Sequence, residues 1–395
     1  MTSAKIENVL ICSGFTETEL KSFRENQYPR VLEKYTDWNI VIFTSNQSYI
    51  WKHNRAGRAQ TSPHKYDAEI ERSGRIRIVR KTPLIRFSDF LILPIPFKLI
   101  RQADVVHLIE FRQGNSVLIA AAARLLGKPV LYDHEQRGDR HYTLLHTIDS
   151  AIRRILIGIG SLFVDKVRHT VIENKKHFKK NAWRKQLPMS LSPLAADDEQ
   201  FFHEPTLRSE KRRALGIADD ETLVIIPGKI DATKRTVDAA RACLDAGLKV
   251  MVVGSIANDV VVALNDLKSR GLVTSEQVGS IELNALFNAA DAVLFTTFSV
   301  SYWEALATGA KLIAPRTEFS AEYIGEEDAL LYGDESLFSV VEEQYKASAD
   351  VYSAVSSAIN RNLPKINPAR QSNKKYTWDQ SARNLISDYE SLVRG

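Results

Sequence analysis

The sequence predicts an α/β fold of two domains, each containing a mostly parallel sheet. The chain has 395 residues, more than one ordinary core holds at ~150 residues per domain. Short apolar runs alternate with longer helical patterns, and the alternation begins again after a polar stretch from about Leu187 to Arg213. Because such sheets bind ligands at the carboxyl ends of their strands, we expect the active site in a cleft between the domains.

Each array is defined by its predicted strands. In the first array these are NVLIC (8–12), IVIFTS (40–45), RIRIV (75–79), VVHLI (105–109) and PVLYD (129–133), with a helix over Ser116 to Leu126. In the second they are TLVIIPG (222–228), KVMVVGS (249–255), DAVLFTT (291–297) and Lys311 to Ala314, with helices near 235–246, 260–270 and 302–308. The apolar spacing of Trp378, Ala382, Leu385, Ile386 and Tyr389 predicts a closing helix that packs back on the body. We therefore expect domains at 1–190 and 191–370, followed by a C-terminal helical segment at 371–395.

The composition is that of a globular protein, with 44% hydrophobic and 26% charged residues. We find no apolar run of ~18 residues and no basic leader before an apolar segment, so the cytoplasm is the expected location. Cys12 and Cys243 are far apart and match no disulfide or zinc pattern, which predicts two core residues.

The charge is divided unevenly along the chain. Residues 1–195 contain 32 Lys and Arg against 18 Asp and Glu, a net charge near +14, and the remainder is near −9. Two segments carry this excess beside apolar residues, ENKKHFKKNAWRK (173–185) and IRFSDFLILPIPFKLIR (85–101). Either suits an anionic lipid surface, or equally a solvated face and a core-facing helix. We expect the N-terminal domain to dock on the inner face of the plasma membrane; no nucleic-acid-binding module is recognisable.

The segment TTFSVSYWEALATGAKLIAP (296–315) has two interpretations. Ser301 and Glu304 form the pattern of a capping box, Gly309 suits a left-handed C-terminal cap, and Pro315 ends the next strand. The loop before the helix also offers free N–H groups and the positive end of a helix dipole, which attract an anion such as phosphate.

Four segments in order resemble the glycosyltransferase family 4 group of GT-B enzymes. PLAADDEQFFHEP (193–205) is similar to the interdomain segment of that family, and IIPGKIDATKR (225–235) to its strand, glycine and basic loop. GSIELNALFNAADAVLFTT (279–297) resembles the segment before the nucleotide site, and YTWDQSARNLISDYESL (376–392) resembles the closing helix. The resemblance covers most of the C-terminal half and patches of the N-terminal half, and it implies a GT-B fold with two Rossmann-like domains.

The resemblance also implies a donor site in the second domain. In the family two glutamates separated by seven residues hold the sugar nucleotide. Glu304 matches the second glutamate, which implies that it forms hydrogen bonds to the ribose. Thr296 stands at the position of the first, so the resemblance does not indicate which sugar is bound. The remaining residues of the expected donor site are Phe298, Ser299, Val300, Gly228, Gly254 and Ile281.

Sugar transfer requires that the charge of the departing diphosphate be neutralised. The sequence contains no Asp-x-Asp pair, so we expect no metal cofactor and assign the cationic role to Lys229 and Lys234. Lys229 stands where the family usually has arginine, which replaces a planar fork by a point charge. The alternative is that both lysines are solvated loop residues.

The N-terminal domain supplies further candidates. The resemblance places His134 near the donor sugar, although a lone histidine is often structural. Gly14, Glu110, Asp133 and Glu135 follow predicted strands and are candidates for the acceptor side. A carboxylate or His134 would be the base if configuration is inverted, but the resemblance implies retention.

The resemblance, together with the absent Asp-x-Asp pair and the two lysines, implies a retaining, metal-independent glycosyltransferase that uses a UDP- or GDP-linked sugar and a glycan or lipid-linked acceptor. We expect it to act in bacterial surface polysaccharide biosynthesis. Two alternatives remain at this point: a non-catalytic nucleotide- or glycan-binding protein, and a sugar-nucleotide epimerase.

Overall fold

The structure is a computed structural model that describes residues 5–14, 24–47, 66, 70–87, 90–110, 114–139, 144–326, 328–334, 337–341, 344–348, 350–361 and 376–394. The chain forms two compact units. One consists of residues 1–194 together with 378–395, and the other of residues 195–377.

The first unit contains a sheet of eight strands, of which seven are parallel. Its elements are β1 (Asn8–Cys12), α1 (Arg24–Tyr35), β2 (Asn39–Ser45), β3 (Ile70–Ser73), β4 (Ile76–Lys81), β5 (Ile85–Phe87), β6 (Phe90–Ile92), α2 (Phe97–Gln102), β7 (Val105–Ile109), α3 (Gly114–Leu125), β8 (Val130–His134), α4 (Leu144–Gly160), β9 (Lys166–His169), α5 (Ile172–Asn181) and β10 (Met189–Leu191). The strand order is β10-β9-β8-β7-β1-β2-β4-β3, and of the described strands in this sheet only β3 is antiparallel to its neighbour. The central strands are buried on both faces, which explains why they are continuous apolar runs rather than alternating ones.

The second unit contains a parallel sheet of six strands and, in its described part, a separate antiparallel pair. Its elements are α6 (Pro205–Leu215), β11 (Leu223–Pro227), α7 (Thr236–Asp245), β12 (Lys249–Val253), a 3-10 turn (Asn258–Val260), α8 (Val261–Ser269), β13 (Val273–Ser275), α9 (Ser280–Ala289), β14 (Ala292–Leu294), α10 (Ser301–Ala307), β15 (Lys311–Pro315), α11 (Glu318–Tyr323), β16 (Ala329–Tyr332), β17 (Phe338–Val341), β18 (Gln344–Ala347) and α12 (Val351–Arg361). The order of the six-stranded sheet is β13-β12-β11-β14-β15-β16. The last helix, α13 (Trp378–Arg394), belongs to the first unit, where it packs on α1.

These sheets confirm the α/β class and the tandem arrays. The segment at 85–101 differs from its prediction, because its described residues form the β5–β6 hairpin and then α2 rather than one helix. Pro315 was predicted to stop the strand after Ala314, and it is itself the last residue of β15. Cys12 and Cys243 are free thiols in the cores of their units, as predicted.

A buried ion network joins α1, the sheet and α13 of the first unit. Asp133 lies at the carboxyl end of β8 and is completely buried. One of its oxygens accepts a hydrogen bond of 2.7 Å from Arg24 and another of 3.1 Å from Tyr28. The other oxygen lies 3.2 Å from Nε2 of His107. Arg168 is also near, with Nε at 3.9 Å from Asp133 and 3.3 Å from Asp388 of α13.

The charges of this network keep Asp133 ionised. Burial by itself raises the pKa of a carboxyl, but His107, Arg168 and Arg24 outweigh it and hold the pKa of Asp133 well below its usual range. His107 also contacts the hydroxyl of Tyr389 in α13 at 2.8 Å. One carboxylate therefore fixes a helix that lies more than two hundred residues away in the sequence.

The second unit contains a close backbone approach at the carboxyl edge of its sheet. Gly228 and Gly254 follow the neighbouring strands β11 and β12 and have φ of 112° and 151°. A Cβ at Gly254 would stand 1.8 Å from the carbonyl oxygen of Gly228. Glycine at position 254 is required because no side chain fits there.

We predict that Asp133→Asn lowers the free energy of unfolding of the first unit by about 3–5 kcal/mol, since it leaves buried guanidinium groups without their shared carboxylate. Urea denaturation measures the change. Glu390→Gln is the matched control, because it breaks an exposed ion pair on α13 and should cost under about 0.5 kcal/mol. Equal losses for the two variants would contradict a stabilising role for the buried network.

We predict that Gly254→Ala destabilises the second unit by about 2–4 kcal/mol through overpacking and backbone strain. Gly247→Ala is the control, since Gly247 also has a positive φ, 75°, but its Cβ would meet nothing within 4 Å. We expect that control to cost about 1 kcal/mol, and thermal unfolding compares the two. A Gly254→Ala protein as stable as Gly247→Ala would show that the close approach is not a constraint.

Candidate functional site

The strand order of the second sheet reverses between β11 and β14. From β11 the chain continues outward to β12 and β13, and it then returns to place β14 on the other side of β11. The loops that follow β11 and β14 therefore diverge and leave a crevice at the carboxyl edge, the usual position of ligands in open α/β sheets. These loops contain most of the donor residues predicted from the sequence.

Lys234 connects these two loops. Its Nζ donates a hydrogen bond of 2.9 Å to Oγ1 of Thr297, which follows β14. The side chain is half-buried, so its ammonium is held at the crevice rather than moving freely in solvent. The structure therefore brings one of the two predicted cations beside the loop predicted to contact the diphosphate.

Lys229 is exposed and forms an ion pair with Asp231, at 2.8 Å. Asp231 is buried and also accepts hydrogen bonds from the hydroxyl of Thr233 and the N–H of Lys234. Burial raises the pKa of this carboxyl, but the hydrogen bonds from Lys229 and Thr233 lower it below its usual value. Asp231 organises the loop between the two lysines, a role that the sequence analysis missed although the carboxylate lies between them.

The loop before α10 offers backbone donors. The N–H groups of Ser299 and Val300 have no acceptor among the described residues, and the hydroxyl of Ser299 accepts a hydrogen bond from the N–H of Ser301 at 3.3 Å. Because α10 has only 7 residues, its dipole contributes little. The individual N–H groups are the relevant anion-binding feature.

The predicted capping box is wrong, whereas the predicted C-terminal cap is confirmed. Ser301 is the first residue of α10 and Val300 is its N-cap, with no side-chain hydrogen bond to the helix end. Gly309 has φ of 74° and donates to the carbonyl of Leu306, while Ala310 donates to that of Ala305. This pair of bonds is a Schellman motif, and it ends the helix at the expected glycine.

Glu304 is half-buried in the first turn of α10, on the side that faces Asp197 of the segment entering the second unit. Burial raises the pKa of its carboxyl, a hydrogen bond from Ser301 lowers it, and the charge of Asp197 raises it. The net effect is a pKa above the usual value. Ionisation of a carboxyl in such a position destabilises the folded protein. Glu304 is therefore better explained by a role in binding than by a role in stability.

The other predicted donor residues differ in exposure. Thr296 is buried, so the position of the first family glutamate is occupied by a short side chain inside the unit. Phe298 packs edge-on against Tyr302 and Phe319, with ring centroids 5.4 and 4.9 Å away. Ile281, in the first turn of α9, is 86% exposed.

In the first unit the strand order reverses between β1 and β7, so Gly14 and Glu110 follow the two strands at the reversal. Gly14 is buried, and its carbonyl accepts a hydrogen bond from the N–H of Ser45. Glu110 adopts φ of 62°, rare for a residue with a side chain, and its carboxylate accepts from the N–H groups of Glu135 and Gln136. Both remain candidates for the acceptor side.

Asp133 and His134 are placed differently from the prediction. Asp133 is the centre of the buried network described above, and so it is not open to an acceptor. His134 is completely buried, with Nδ1 at 3.0 Å from the Tyr132 hydroxyl and Nε2 at 3.1 Å from His177. Burial lowers the pKa of His134 well below its usual value, and the charges of His177 and His169 add to this. Both side chains are packed inside the first unit and are fully buried, so this structure does not expose either of the two predicted groups to a substrate.

Glu135 is the more open member of this segment. Its side chain is 38% exposed, and one oxygen accepts from Nε of Arg24 at 2.8 Å. It therefore remains a candidate, although it also extends the ion network of Asp133. No group of three or more His, Cys, Asp or Glu side chains within the described ranges is arranged to hold a metal ion. None of the described helices is long and apolar enough to cross a bilayer.

Comparison with known proteins gives structural similarity without close sequence similarity. No protein-family model matches the chain, and no curated protein sequence matches it significantly. Sucrose-phosphate synthase from Thermosynechococcus elongatus superposes with a TM-score of 0.63 at 16% identity, covering 98% of this chain and 99% of that one.

Two further solved structures resemble the chain along its whole length. HepE from Anabaena, in complex with UDP, has a TM-score of 0.63 at 12% identity and covers 98% of this chain and 100% of its own. WaaG, a glycosyltransferase involved in lipopolysaccharide biosynthesis, has a TM-score of 0.54 at 12% identity, with 98% and 97% covered. These proteins are GT-B glycosyltransferases. The chain therefore has the GT-B fold that its sequence predicts, with one Rossmann-like sheet in each unit.

Proposed function

We propose that the chain is a glycosyltransferase that binds a nucleoside-diphosphate sugar in the crevice between the loops after β11 and β14. The observation that carries this proposal is the Lys234–Thr297 hydrogen bond at the strand-order reversal. It places a cation and a polar loop where an open α/β sheet binds its ligand. The similarity to GT-B structures, one of which is a complex with UDP, supports a nucleotide-sugar donor.

In this proposal the diphosphate is neutralised by side chains and amides without a metal ion. Lys234 contributes a charge already held beside Thr297, and the N–H groups of Ser299 and Val300 are open to donate hydrogen bonds to a phosphate oxygen. Lys229 contributes after its ion pair with Asp231 is exchanged for a phosphate oxygen. A preorganised cation of this kind stabilises the charge that grows on the leaving group.

Gly228 and Gly254 allow the backbone to come close to this ligand. Neither has a side chain to cover the edge of β11, and their mutual contact fixes the start of the loop that contains both lysines. Glu304 accepts hydrogen bonds from the ribose hydroxyls, which accounts for a carboxylate kept at some cost in the folded protein. Ile281 lies on the neighbouring α9, where it packs against the base.

The reaction breaks the bond between the anomeric carbon and the diphosphate oxygen, and the bonding electrons remain on the diphosphate. The acceptor hydroxyl forms the new bond to the same carbon, and its proton passes to the leaving phosphate. This course retains configuration and uses no protein base, which agrees with the burial of Asp133 and His134. The acceptor is a glycan or lipid-linked molecule that binds to the first unit at Gly14 and Glu110. The enzyme receives this acceptor at the inner face of the membrane.

A panel of UDP- and GDP-linked sugars tests this function. We expect one nucleotide to raise the melting temperature, because a ligand that binds only the folded state stabilises it. We also expect slow hydrolysis of the matching donor in the presence of EDTA. Binding without turnover of any sugar would indicate a non-catalytic protein, and conversion of the sugar while still attached to the nucleotide would indicate an epimerase.

We predict that Glu304→Gln weakens binding of the nucleotide at least about tenfold, since hydrogen bonds to a charged acceptor contribute about 1.5–3 kcal/mol each. Titration calorimetry measures the affinity. The same substitution should not lower the stability of the protein. Because the pKa of Glu304 is raised in the folded state, its ionisation destabilises the fold as pH rises above the unfolded value. At neutral pH the variant should therefore melt no earlier than the parent.

Glu282→Gln is the control for this prediction, because Glu282 is an exposed carboxylate that forms an ion pair with Lys211. It should change neither the affinity nor, by more than about 1 kcal/mol, the stability. A Glu304→Gln protein that binds the nucleotide as the parent does but melts earlier would overturn the ribose role and leave Glu304 a stabilising residue.

A further inference from the structure

The outer face of α4 is apolar although it faces solvent. Exposed side chains recur every three or four residues along the helix, at Leu144, Ile148, Ile152 and Ile155, and Leu162 in the turn after it is also exposed. At 100° per residue the four positions in the helix fall within an arc of about 80°. The opposite face is buried in the unit through Ile157 and its neighbours. We call these five exposed residues the α4 ridge.

The helix packed beside α4 also exposes apolar side chains. Helix α3 packs beside α4 and exposes Leu118 and Leu125, two turns apart, the latter at 88%. Soluble proteins rarely expose this many apolar side chains on neighbouring helices unless the surface binds another molecule.

An exposed indole lies at the carboxyl end of the ridge. Trp183 is 57% exposed, and its ring lies on Gly158, where an added Cβ would come within 2.3 Å of Nε1. The hydroxyl of Ser161, in the turn after α4, accepts hydrogen bonds from the N–H groups of Trp183 and Arg184 at 2.9 and 3.1 Å. These contacts hold the indole against the end of the ridge. Tryptophan is enriched at membrane interfaces, because its ring is apolar while its N–H is polar.

Cations border this surface where Trp183 meets α5. Arg184 donates to the carbonyl of Val164, and Lys185 donates to those of Lys179 and Lys180, which gathers three ammonium groups at one helix end. No carboxylate among the described residues lies within ion-pair distance of Lys179, Lys180, Arg184 or Lys185.

The arginines nearer the ridge do not add to this charge. Arg153 contacts Asp149 at 2.6 Å, Arg154 lies 3.7 Å from Asp139, and Arg124 contacts Asp165 at 2.9 Å. The uncompensated charge is therefore concentrated beside the indole, as the cations of an interfacial protein are beside its apolar face.

We propose that the α4 ridge, Trp183 and the adjoining lysines form a docking surface for an anionic lipid bilayer. The apolar side chains enter the boundary between headgroups and acyl chains, and the lysines contact the headgroups, each contributing electrostatic attraction. A bilayer fits these observations better than a protein partner because the charge is of one sign and lies at the edge of an apolar strip. This inference deepens the proposed function, since docking brings lipid-linked acceptors to the enzyme, yet it is tested by lipid partition and not by nucleotide binding.

Vesicle flotation of the full chain tests the docking surface. We expect the protein to float with vesicles that contain phosphatidylglycerol, to do so less at high ionic strength, and to remain behind with pure phosphatidylcholine. The triple variant Lys179→Gln, Lys180→Gln, Lys185→Gln should lose about fivefold in partition for each lysine. The pair Ile152→Gln, Ile155→Gln should lose at least about tenfold.

Matched controls come from the second unit. Val262→Gln replaces an exposed apolar residue of α8, and the triple variant Arg213→Gln, Lys268→Gln, Lys311→Gln removes three exposed cations without ion-pair partners among the described residues. Both should float as the parent does. Circular dichroism and the effect of the nucleotide on the melting temperature show that each variant is folded and that the donor site is intact.

Three results would overturn the proposal. The first is equal flotation with neutral and anionic vesicles, and the second is equal loss in the ridge and control variants. The third is self-association in light scattering that Ile152→Gln, Ile155→Gln abolishes without any lipid partition, which would assign the ridge to a second copy of the chain. Failure of nucleotide binding with lipid partition retained would refute the donor site and leave the docking surface standing.

Discussion

The reversal of strand order beside β11 is the constraint on which the candidate site depends. The chain leaves the parallel neighbours β11 and β14 in opposite directions, so that the loops that follow these strands diverge at the edge of the sheet. Lys234 crosses this edge to Thr297, and the glycine contact behind it fixes where its loop begins. The position of the Lys234 ammonium relative to the open N–H groups of the loop before α10 thus follows from the strand order and from the close contact between the two glycines.

The first unit has the same type of strand-order reversal, but the polar groups at the end of its strand β8 are buried. Beyond β8 the polar groups are closed off, because Asp133 is surrounded by two guanidiniums and an imidazole and His134 is stacked on His177. This closure connects α1 and α13 to the sheet. Gly14 and Glu110, which follow the strands at the reversal itself, and the more exposed Glu135 remain the candidates for the acceptor side.

Much of the fold was predictable because local patterns decide it. The central strands are continuous apolar runs, and Gly309 ends α10 in the left-handed conformation that its neighbours require. In the candidate site, Lys234 was predicted because the segment 225–235 resembles the strand, glycine and basic loop of a known family. Such a resemblance lies in consecutive residues, which a single sequence displays.

What the sequence did not reveal depends on partners far away in the chain. Asp133 looks like a reactive carboxylate at a strand end until Arg24 and Arg168 are placed against it. Ser301 fits a capping box, but the helix begins one residue earlier than that motif allows. The α4 ridge was missed for a related reason, since an apolar helix in sequence looks buried on all sides, and only packing shows which face remains in solvent.

The central claim is that a diphosphate binds at the reversal in the second unit and is neutralised there by Lys234 and the loop amides. A structure of the protein with UDP, prepared in EDTA, measures this most directly. The account predicts diphosphate oxygens within hydrogen-bond distance of Nζ of Lys234 and of the N–H groups of Ser299 and Val300. A diphosphate found elsewhere, or one that binds only through a bridging divalent ion, would contradict it.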